Sequence, residues 1–515
     1  MDTPIACLAV TKKQPGALKD RAAILEFALR QPICEKIGPI IAAKPRILAL
    51  SVSIWNHQAT MELLEALEKE FTYPEPVIVL GGPEVSWLPE NSGIFRHADY
   101  VIRGEGEESF RILCEKIFAE SDFSQAQFTV EKQRSNITAD KKPVFINKGE
   151  TTVDINKINT AYHLYTEEDL ERKLVYVEAS RGCPFNCEFC TGSTKNAERS
   201  AYNSNSILPF SVAPNILLPV GKQQVREFPI EPFLADMKML IEKGGRIFKF
   251  LDRTFNLKID RAKRIMEFFL EKIDEDFANL SKDNQIKDRQ LCVHFEMVPS
   301  LFPAELKEII KRFPPGSLRI EVGIQTLNTE TASLVHCSAA FDKEIETIQF
   351  LRKETNAIVH ADLIAGLPGE SFASFGIGFD KIWQALSMEG CQNLNPQSSF
   401  EIQLGILKCL PGTPITRHTI PYGMRYSGQA PYEVIETGAL SVTDLNRIKN
   451  FARFWELIVN RDSFPDLVPQ LFPPDQPVFD RFMELSDKLL EKFGRNWGID
   501  KYELLSFLEK YNACA

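Results

Sequence analysis

No apolar run in this chain approaches the length of a bilayer span; the longest, around Val77 to Leu80, is strand-length. The opening residues MDTPIACLAVTKK lack the positive region and long apolar stretch of a secretory signal. Basic residues are in deficit, with 60 Lys and Arg against 70 Asp and Glu, giving a net charge of −10. That balance shows no extended phosphate-binding face, so bulk nucleic acid is not an expected partner. Internal repeats and low-complexity tracts are missing as well. Together these absences predict a cytoplasmic protein that does not engage a membrane.

What is present suffices for more than one core. A chain of 515 residues with 44% hydrophobic side chains predicts two to four domains. Its 11 cysteines are odd in number and scattered, which in a reducing compartment argues against a disulfide framework. Most read as small buried hydrophobes. Cys183, Cys187 and Cys190 differ, because they crowd into a single short stretch.

Residues 1–125 alternate strand and helix patterns. IACLAV (5–10), ILALSVSIW (47–55) and VIVLGG (77–82) read as strands, and ATMELLEALEKEF (59–71) has helical spacing. YVIRGEGEESFRILCEKIFAE (100–120) reads as strand, turn and amphipathic helix. The alternation predicts a doubly wound, Rossmann-like parallel sheet. Ligands of such sheets bind at the carboxyl ends of the strands. Ser51, Ser53, the Gly81-Gly82-Pro83-Glu84 turn and Gly104-Glu105 fall there. Residues 126–172 are polar and weakly periodic, which suits a surface linker.

A second β/α series occupies 173–412, with strands expected at 174–180, 247–252, 292–297, 318–325, 358–366 and 400–407. Six strands with crossover helices predict a partial, TIM-like (β/α)6 barrel. Residues 198–228 interrupt the series as an insertion near its mouth. Residues 413–515 read as a mostly helical extension, notably at SVTDLNRIKNFARFWELIV and PVFDRFMELSDKLLEKF.

The cysteine trio lies in Arg181-Gly182-Cys183-Pro184-Phe185-Asn186-Cys187-Glu188-Phe189-Cys190, just after an expected strand. A loop with three closely spaced thiolates can curl around one [4Fe–4S] cubane, leaving the fourth iron without a protein ligand. The alternative, structural zinc, wants four ligands and usually paired Cys-x-x-Cys units, and no fourth ligand is evident nearby.

At these residues the sequence resembles the radical S-adenosylmethionine (SAM) enzymes, whose hallmark is Cys-x3-Cys-x2-Cys with an aromatic, here Phe189, before the last cysteine. The resemblance implies that the open iron chelates SAM and that one electron splits the sulfonium into methionine and a 5′-deoxyadenosyl radical. It also implies an electron donor such as flavodoxin or ferredoxin. Asp252, Glu296, Glu321 and Gln325 on barrel strands, and Gly366 in the following Gly-Leu-Pro-Gly-Glu turn, are candidates for SAM contacts. Equally, they cap helices, satisfy one another or form a plain turn. The family's frequent Gly-Gly-Glu segment is replaced by Leu251-Asp252-Arg253-Thr254-Phe255-Asn256.

SVSIWN (51–56), LGGPEVSW (80–87) and VIRGEGEESF (101–110) make the N-terminal part similar to the cobalamin-binding domain ahead of many radical SAM barrels. The resemblance implies that Ser51, Ser53, Gly81, Gly82, Pro83, Glu84, Gly104 and Glu105 cradle cobalamin. The Asp-x-His-x-x-Gly motif of the methionine-synthase type is absent. His57 lacks those partners and reads as a surface or helix-start residue, so cobalamin would have no protein histidine on cobalt. The rival reading of Cys7, Cys34 and Cys114 as a second cluster fails on their flanking residues and on the helical C-terminus.

These resemblances imply cobalamin-dependent methylation of an unactivated centre on a small molecule. The alternatives are a cobalamin-independent radical cyclisation, rearrangement or group transfer, and a non-catalytic iron–sulfur or corrinoid carrier or sensor.

Overall fold

A computed structural model describes residues 4–7, 22–71, 75–119, 143–146, 153–193, 225–280, 290–337, 339–387, 399–461, 463–465, 467–472 and 476–513. Much of the anticipated 198–228 insertion and the stretch 126–142 lie outside them, as does the side chain of Cys7.

The N-terminal sheet carries β1 (Pro4–Cys7), β2 (Leu25–Ala28), β3 (Ile47–Ser51), β4 (Val77–Gly81), β5 (Tyr100–Ile102) and β6 (Val144–Ile146), in the order β2-β1-β3-β4-β5-β6. β3 to β6 run parallel, while β1 pairs antiparallel with both neighbours. The parallel strands are short and rich in Val, Ile and Leu because both sheet faces are covered, so no alternation is needed. Leu48, Leu50, Val79 and Leu80 are all buried. Helices His57–Glu70 and Glu107–Ala119 follow β3 and β5. ILALSVSIW thus ends as a strand at Ser51, four residues before the apolar run does. Val144–Ile146, expected within a linker, instead pairs with Tyr100–Ile102 and widens the sheet. Three residues with an exposed first position carry too little pattern to be read as a strand without their partner.

The second sheet holds β7 (Val175–Val177), β10 (Ile247–Phe250), β11 (Cys292–Met297), β12 (Leu318–Gln325), β13 (Ile358–Ala365) and β14 (Phe400–Ile406), all parallel, in the order β14-β13-β12-β11-β10-β7. Among the described residues no pairing joins β14 to β7, so the barrel is open. A short antiparallel pair, β8 (Ser180–Arg181) and β9 (Arg226–Glu227), lies between β7 and β10. β12 buries Leu318, Ile320, Val322 and Ile324 and turns Arg319, Glu321, Gly323 and Gln325 to the other, half-open face. Its neighbours do the same, so one face is an apolar core under the helices and the other a polar chamber.

The extension opens with the 3-10 turn Pro414–His418, followed by a hairpin of β15 (Arg425–Tyr426) and β16 (Val434–Glu436). Helices Val442–Trp455 and Val478–Phe493 follow. Ser441 caps the first of these, accepting from the backbone N–H of Asp444 while the Asp444 carboxylate accepts from Ser441 N–H. Phe451, Trp455 and Phe479 are buried and pack on Phe379 of the barrel helix Phe372–Ser387, and buried Phe482 packs in turn on Phe451 and Trp455. The extension therefore shares one continuous core with the barrel.

Candidate active site

The cysteine loop leaves the end of β8 through Gly182, whose φ of 100° is open to glycine and costly for any other residue. Asp252, at the end of β10, is buried and accepts from Ala179 N–H (2.9 Å) and Ser180 Oγ–H (2.5 Å). Its carboxylate braces the segment leading into the loop. Burial raises its pKa.

The three thiols influence one another. Burial pushes Cys183 up to about 11, and neighbouring Cys190 and Cys187 add to it. Burial also raises Cys190, while a hydrogen bond from the thiol of Cys337 lowers Cys187. Among the described residues no three His, Cys, Asp or Glu side chains converge as a single metal ion requires. A cubane asks for less: each sulfur takes a separate iron, so three half-buried thiols on one loop, close enough to influence one another, fit it. Bare, they repel one another's thiolates, and a polycationic core relieves that repulsion.

Glu296, the penultimate residue of β11 and within electrostatic reach of Cys183 and Cys190, lies 3.9 Å from Arg253. Burial pushes it up to about 7. Glu321, level with it on β12, ion-pairs with His294 (3.0 Å) and Lys249 (3.2 Å), and the histidine above all lowers it to about 2. Asp362 on β13 is raised well above the carboxylate range by burial, with Glu321 as an added cause. His294 and His360 stack at 5.2 Å, and His360 reaches Glu401 at 3.1 Å. Glu296, Glu321, Asp362 and Glu401 thus line the chamber as an interior ladder with two imidazoles. Sequence reasoning missed Lys249, His294, His360, Asp362 and Glu401, although alternation within IFKF, VHFEM, VHADLIA and FEIQ puts them all on one face.

Gln325 ends β12 with a φ of 68° at a register shift, its side chain folded over Gly323. Phe189 packs half-buried against the core. Gly366 has φ 90°, and a Cβ there would meet Val434 Cγ1 at 2.5 Å. The close approach this glycine permits is therefore to β16, and that space is filled by the protein itself.

In the N-terminal domain, Asn56 ties the β3 turn by accepting from Ser53 N–H and donating to Ser51 O. Gly82 (φ 103°) brings its Cα against Val52, where a Cβ would lie 2.5 Å from the carbonyl oxygen. Ser86 donates to Gly82 O and accepts from Gly104 N–H, joining the β4 and β5 turns. Nothing lies within 4 Å of a Cβ built on Gly104, and Trp55 is exposed beside these turns. The strand ends are therefore a tied, flat-floored cradle with open space, which fits a planar ring.

Two candidates there are otherwise engaged. Glu84, which follows Pro83 in its short helix, is buried and takes Tyr432 Oη–H (2.6 Å) from the extension and His57 Nδ1 (3.1 Å). Instead of lying on the surface, His57 starts its helix from within the protein. Glu105 pairs with Arg226 and accepts from Val153 N–H (2.7 Å), and Arg181 stands 3.8 Å from it and 2.7 Å from Glu107. These acids face the barrel and the extension. Arg181 is two residues from Cys183, so the corrinoid-type cradle and the cysteine loop abut.

With this geometry in hand, the comparisons agree. Residues 177–376 match the model of the radical SAM superfamily, residues 21–114 that of the B12 binding domain, and residues 421–513 a family described as protein of unknown function (DUF4080). The cobalamin-dependent radical SAM methyltransferase TokK of Streptomyces tokunonensis is 26% identical over 168 residues, 31% of this chain and 23% of that protein. An uncharacterized methyltransferase, PH0819 of Pyrococcus horikoshii, is 27% identical over 193 residues, 36% and 35% of the two chains. The chain thus spans about a quarter to a third of these relatives' lengths. Among solved structures, the radical SAM methyltransferase TsrM from Kitasatospora setae superposes with a TM-score of 0.50 at 15% identity, over 75% of this chain and 67% of that one. The cobalamin-dependent SAM radical enzyme OxsB gives 0.51 at 13% identity, over 94% and 69%. At such identities the likeness is one of fold. A radical SAM domain brings a [4Fe–4S] cluster and SAM, and a B12-binding domain brings cobalamin. The chain thus carries a region that matches the radical SAM superfamily, preceded by one that matches a B12 binding domain.

Proposed function

We propose that the protein is a cobalamin-dependent radical SAM methyltransferase acting on an unactivated centre of a small molecule. The observation that carries this reading is the Arg181 bridge, which sets the cysteine loop directly against the tied strand-end turns of the B12-binding domain. When bound, the cluster supplies the electron that splits the SAM sulfonium, and the corrinoid carries the methyl group.

In this reading Cys183, Cys187 and Cys190 would hold the cluster. Glu296, within electrostatic reach of Cys183 and Cys190, and Gln325, on the same chamber face, would bind the polar end of SAM, with Phe189 of the loop as a further contact. Glu321 acts within the carboxylate–imidazole ladder, holding Lys249 and His294 in place. Ser51, Ser53, Gly81, Gly82 and Gly104 form the corrinoid cradle, while Glu84 and Glu105 hold it against its neighbours. A flavodoxin- or ferredoxin-type protein delivers the electron.

Anaerobic reconstitution tests the proposal. The protein should take up four irons, retain a corrinoid absorbance, and convert SAM to both 5′-deoxyadenosine and S-adenosylhomocysteine. Deoxyadenosine without S-adenosylhomocysteine would replace methyl transfer by a cobalamin-independent radical reaction. Bound cofactors with neither product would indicate a carrier.

A further inference from the structure

Between two of the cluster cysteines lies a residue that the reading above leaves unused. Glu188 is 1% exposed, yet it carries a carboxylate. Its Oε2 accepts from Arg417 Nε–H and faces His418 Nε2, each at 2.8 Å. Its Oε1 ion-pairs with Arg417 Nη2 (2.6 Å) and with His336 Nδ1 (2.7 Å). The backbone is gripped too: Glu188 N–H donates to Val335 O, and Glu188 O accepts from Ile415 N–H, both at 3.0 Å. Arg417 Nη2 also reaches Leu334 O at 3.3 Å.

Two segments far apart in sequence thus close on one residue of the loop. One is the turn Val335-His336-Cys337, in which His336 holds a φ of 52° and Cys337 places its thiol on Cys187. A non-glycine residue in that region costs free energy, which its surroundings must offset. The other is the 3-10 turn Pro414–His418 at the start of the extension. An apolar side chain would fill the same volume without the desolvation cost, and buried ion networks add little net stability. What they do supply is a single allowed arrangement, because every departure leaves a charge buried and unpaired.

We propose that Glu188 is a positioning residue for the iron–sulfur cluster, clamped by Arg417, His418 and His336 so that Cys187 and Cys190 are held in ligating geometry. Through it the C-terminal extension is part of the cluster site, and loosening the extension's first turn loosens the iron. The inference rests on the assignment of Cys183, Cys187 and Cys190 as ligands. It adds an electrostatic consequence, since the potential of such a cluster responds to nearby charge.

The test compares Glu188→Gln, Arg417→Met and Arg417→Lys with the parent protein, each reconstituted anaerobically. Two quantities are followed: the rate of iron loss to a chelator and the midpoint potential of the cluster. Glu188→Gln and Arg417→Met should lose iron roughly tenfold faster, the size typical when a ligand's outer partner is removed. Their potentials should move in opposite directions, upward where a negative charge is lost and downward where a positive one is lost. Arg417→Lys should restore most of both. Arg447→Met, which breaks the Arg447–Asp487 pair elsewhere in the extension, should leave both quantities at the parent values. Arg417 has a half-exposed side chain, so its variants carry the test if Glu188→Gln does not fold. Parent-like iron loss in both variants, or potentials that shift together, overturns the clamp. Failure of the parent protein to bind four irons overturns instead the ligand assignment beneath it.

Discussion

The two proposed cofactor sites of this molecule are rigid for opposite reasons. The cysteine loop is fixed by side-chain charge: one buried carboxylate meets an arginine and two histidines from distant segments. The strand-end turns of the B12-binding domain are fixed by backbone shape, through Gly82 against Val52 and through Ser86 and Asn56 bonded to main-chain groups. The difference follows from what each must present. A compact cluster needs three sulfurs at set points, whereas a flat ring needs a floor free of side chains. The charge-fixed site is accordingly exposed to loss of one group, and the shape-fixed site to gain of one.

The largest expected effect removes a group. Cys187→Ala should abolish the four-iron signal in Mössbauer or EPR spectra and all 5′-deoxyadenosine formation, because a loop with two sulfurs no longer spans the cubane. Retention of both would break the comparison at its cluster end. Next comes the addition of one. Gly82→Ala places a Cβ 2.5 Å from Val52 O and 2.8 Å from Val52 N in a φ region that alanine avoids. The cost should be about 3 kcal/mol, combining backbone strain with displacement of a packed main chain. It should appear in urea unfolding as an earlier transition of the N-terminal domain, with the iron content of the folded protein unchanged.

How far this was legible in the sequence divides along the same line. Shape-fixed features announce themselves locally. The glycine turns after β4 and β5, the parallel strands and the Cys-x3-Cys-x2-Cys loop were all readable, since each is written in contiguous residues. The charge-fixed features were not. Nothing near Glu188 points to Arg417, 229 residues away, or to His336. Glu84 and Glu105 look like cradle residues by position, and only the fold shows Tyr432 and Arg226 claiming them. By sequence Gly366 suits a ligand contact or a plain turn equally, because Val434, which fills the space beside it, belongs to a hairpin that the helical pattern of the C-terminus obscures. The interior ladder lay between these cases: alternation marked its face, but its pairs needed the strand register.

A second buried glutamate sharpens the contrast. Glu370, in the turn after β13, is 1% exposed, but Thr326 Oγ1 at 2.7 Å is its partner where Glu188 has cations. Burial pushes it up to about 7 from 4.5. A raised carboxyl pKa means that the fold favours the protonated form. Its contribution is fully present below about pH 4.5 and is lost as pH rises through about 7. Glu370→Gln keeps the shape without the ionisation, so its stability advantage over the parent protein should be nearly absent at pH 4 and grow by pH 8. The limit is about 3 kcal/mol at 1.36 kcal/mol per pH unit. Parallel thermal-unfolding curves for the two proteins across that range would show that Glu370 is not ionising within the fold.

The smallest expected effect probes the seam between the two regions. Tyr432→Phe deletes the hydroxyl that donates to Glu84 at 2.6 Å and leaves the ring in place. Glu84 keeps His57, so it is weakened but not orphaned, and the loss should be about 1–2 kcal/mol, that of a hydrogen bond to a charged group. Because Tyr432 sits in the extension and Glu84 beside the corrinoid cradle, the loss should fall on the contact between them. Hydrogen exchange should quicken at Gly82–Trp87 and leave the Cys183–Cys190 loop unchanged, since Glu188 and its partners are untouched. Faster exchange in both segments would mean that the extension grips the two cofactor ends as one unit, and that charge and shape are not separate devices here.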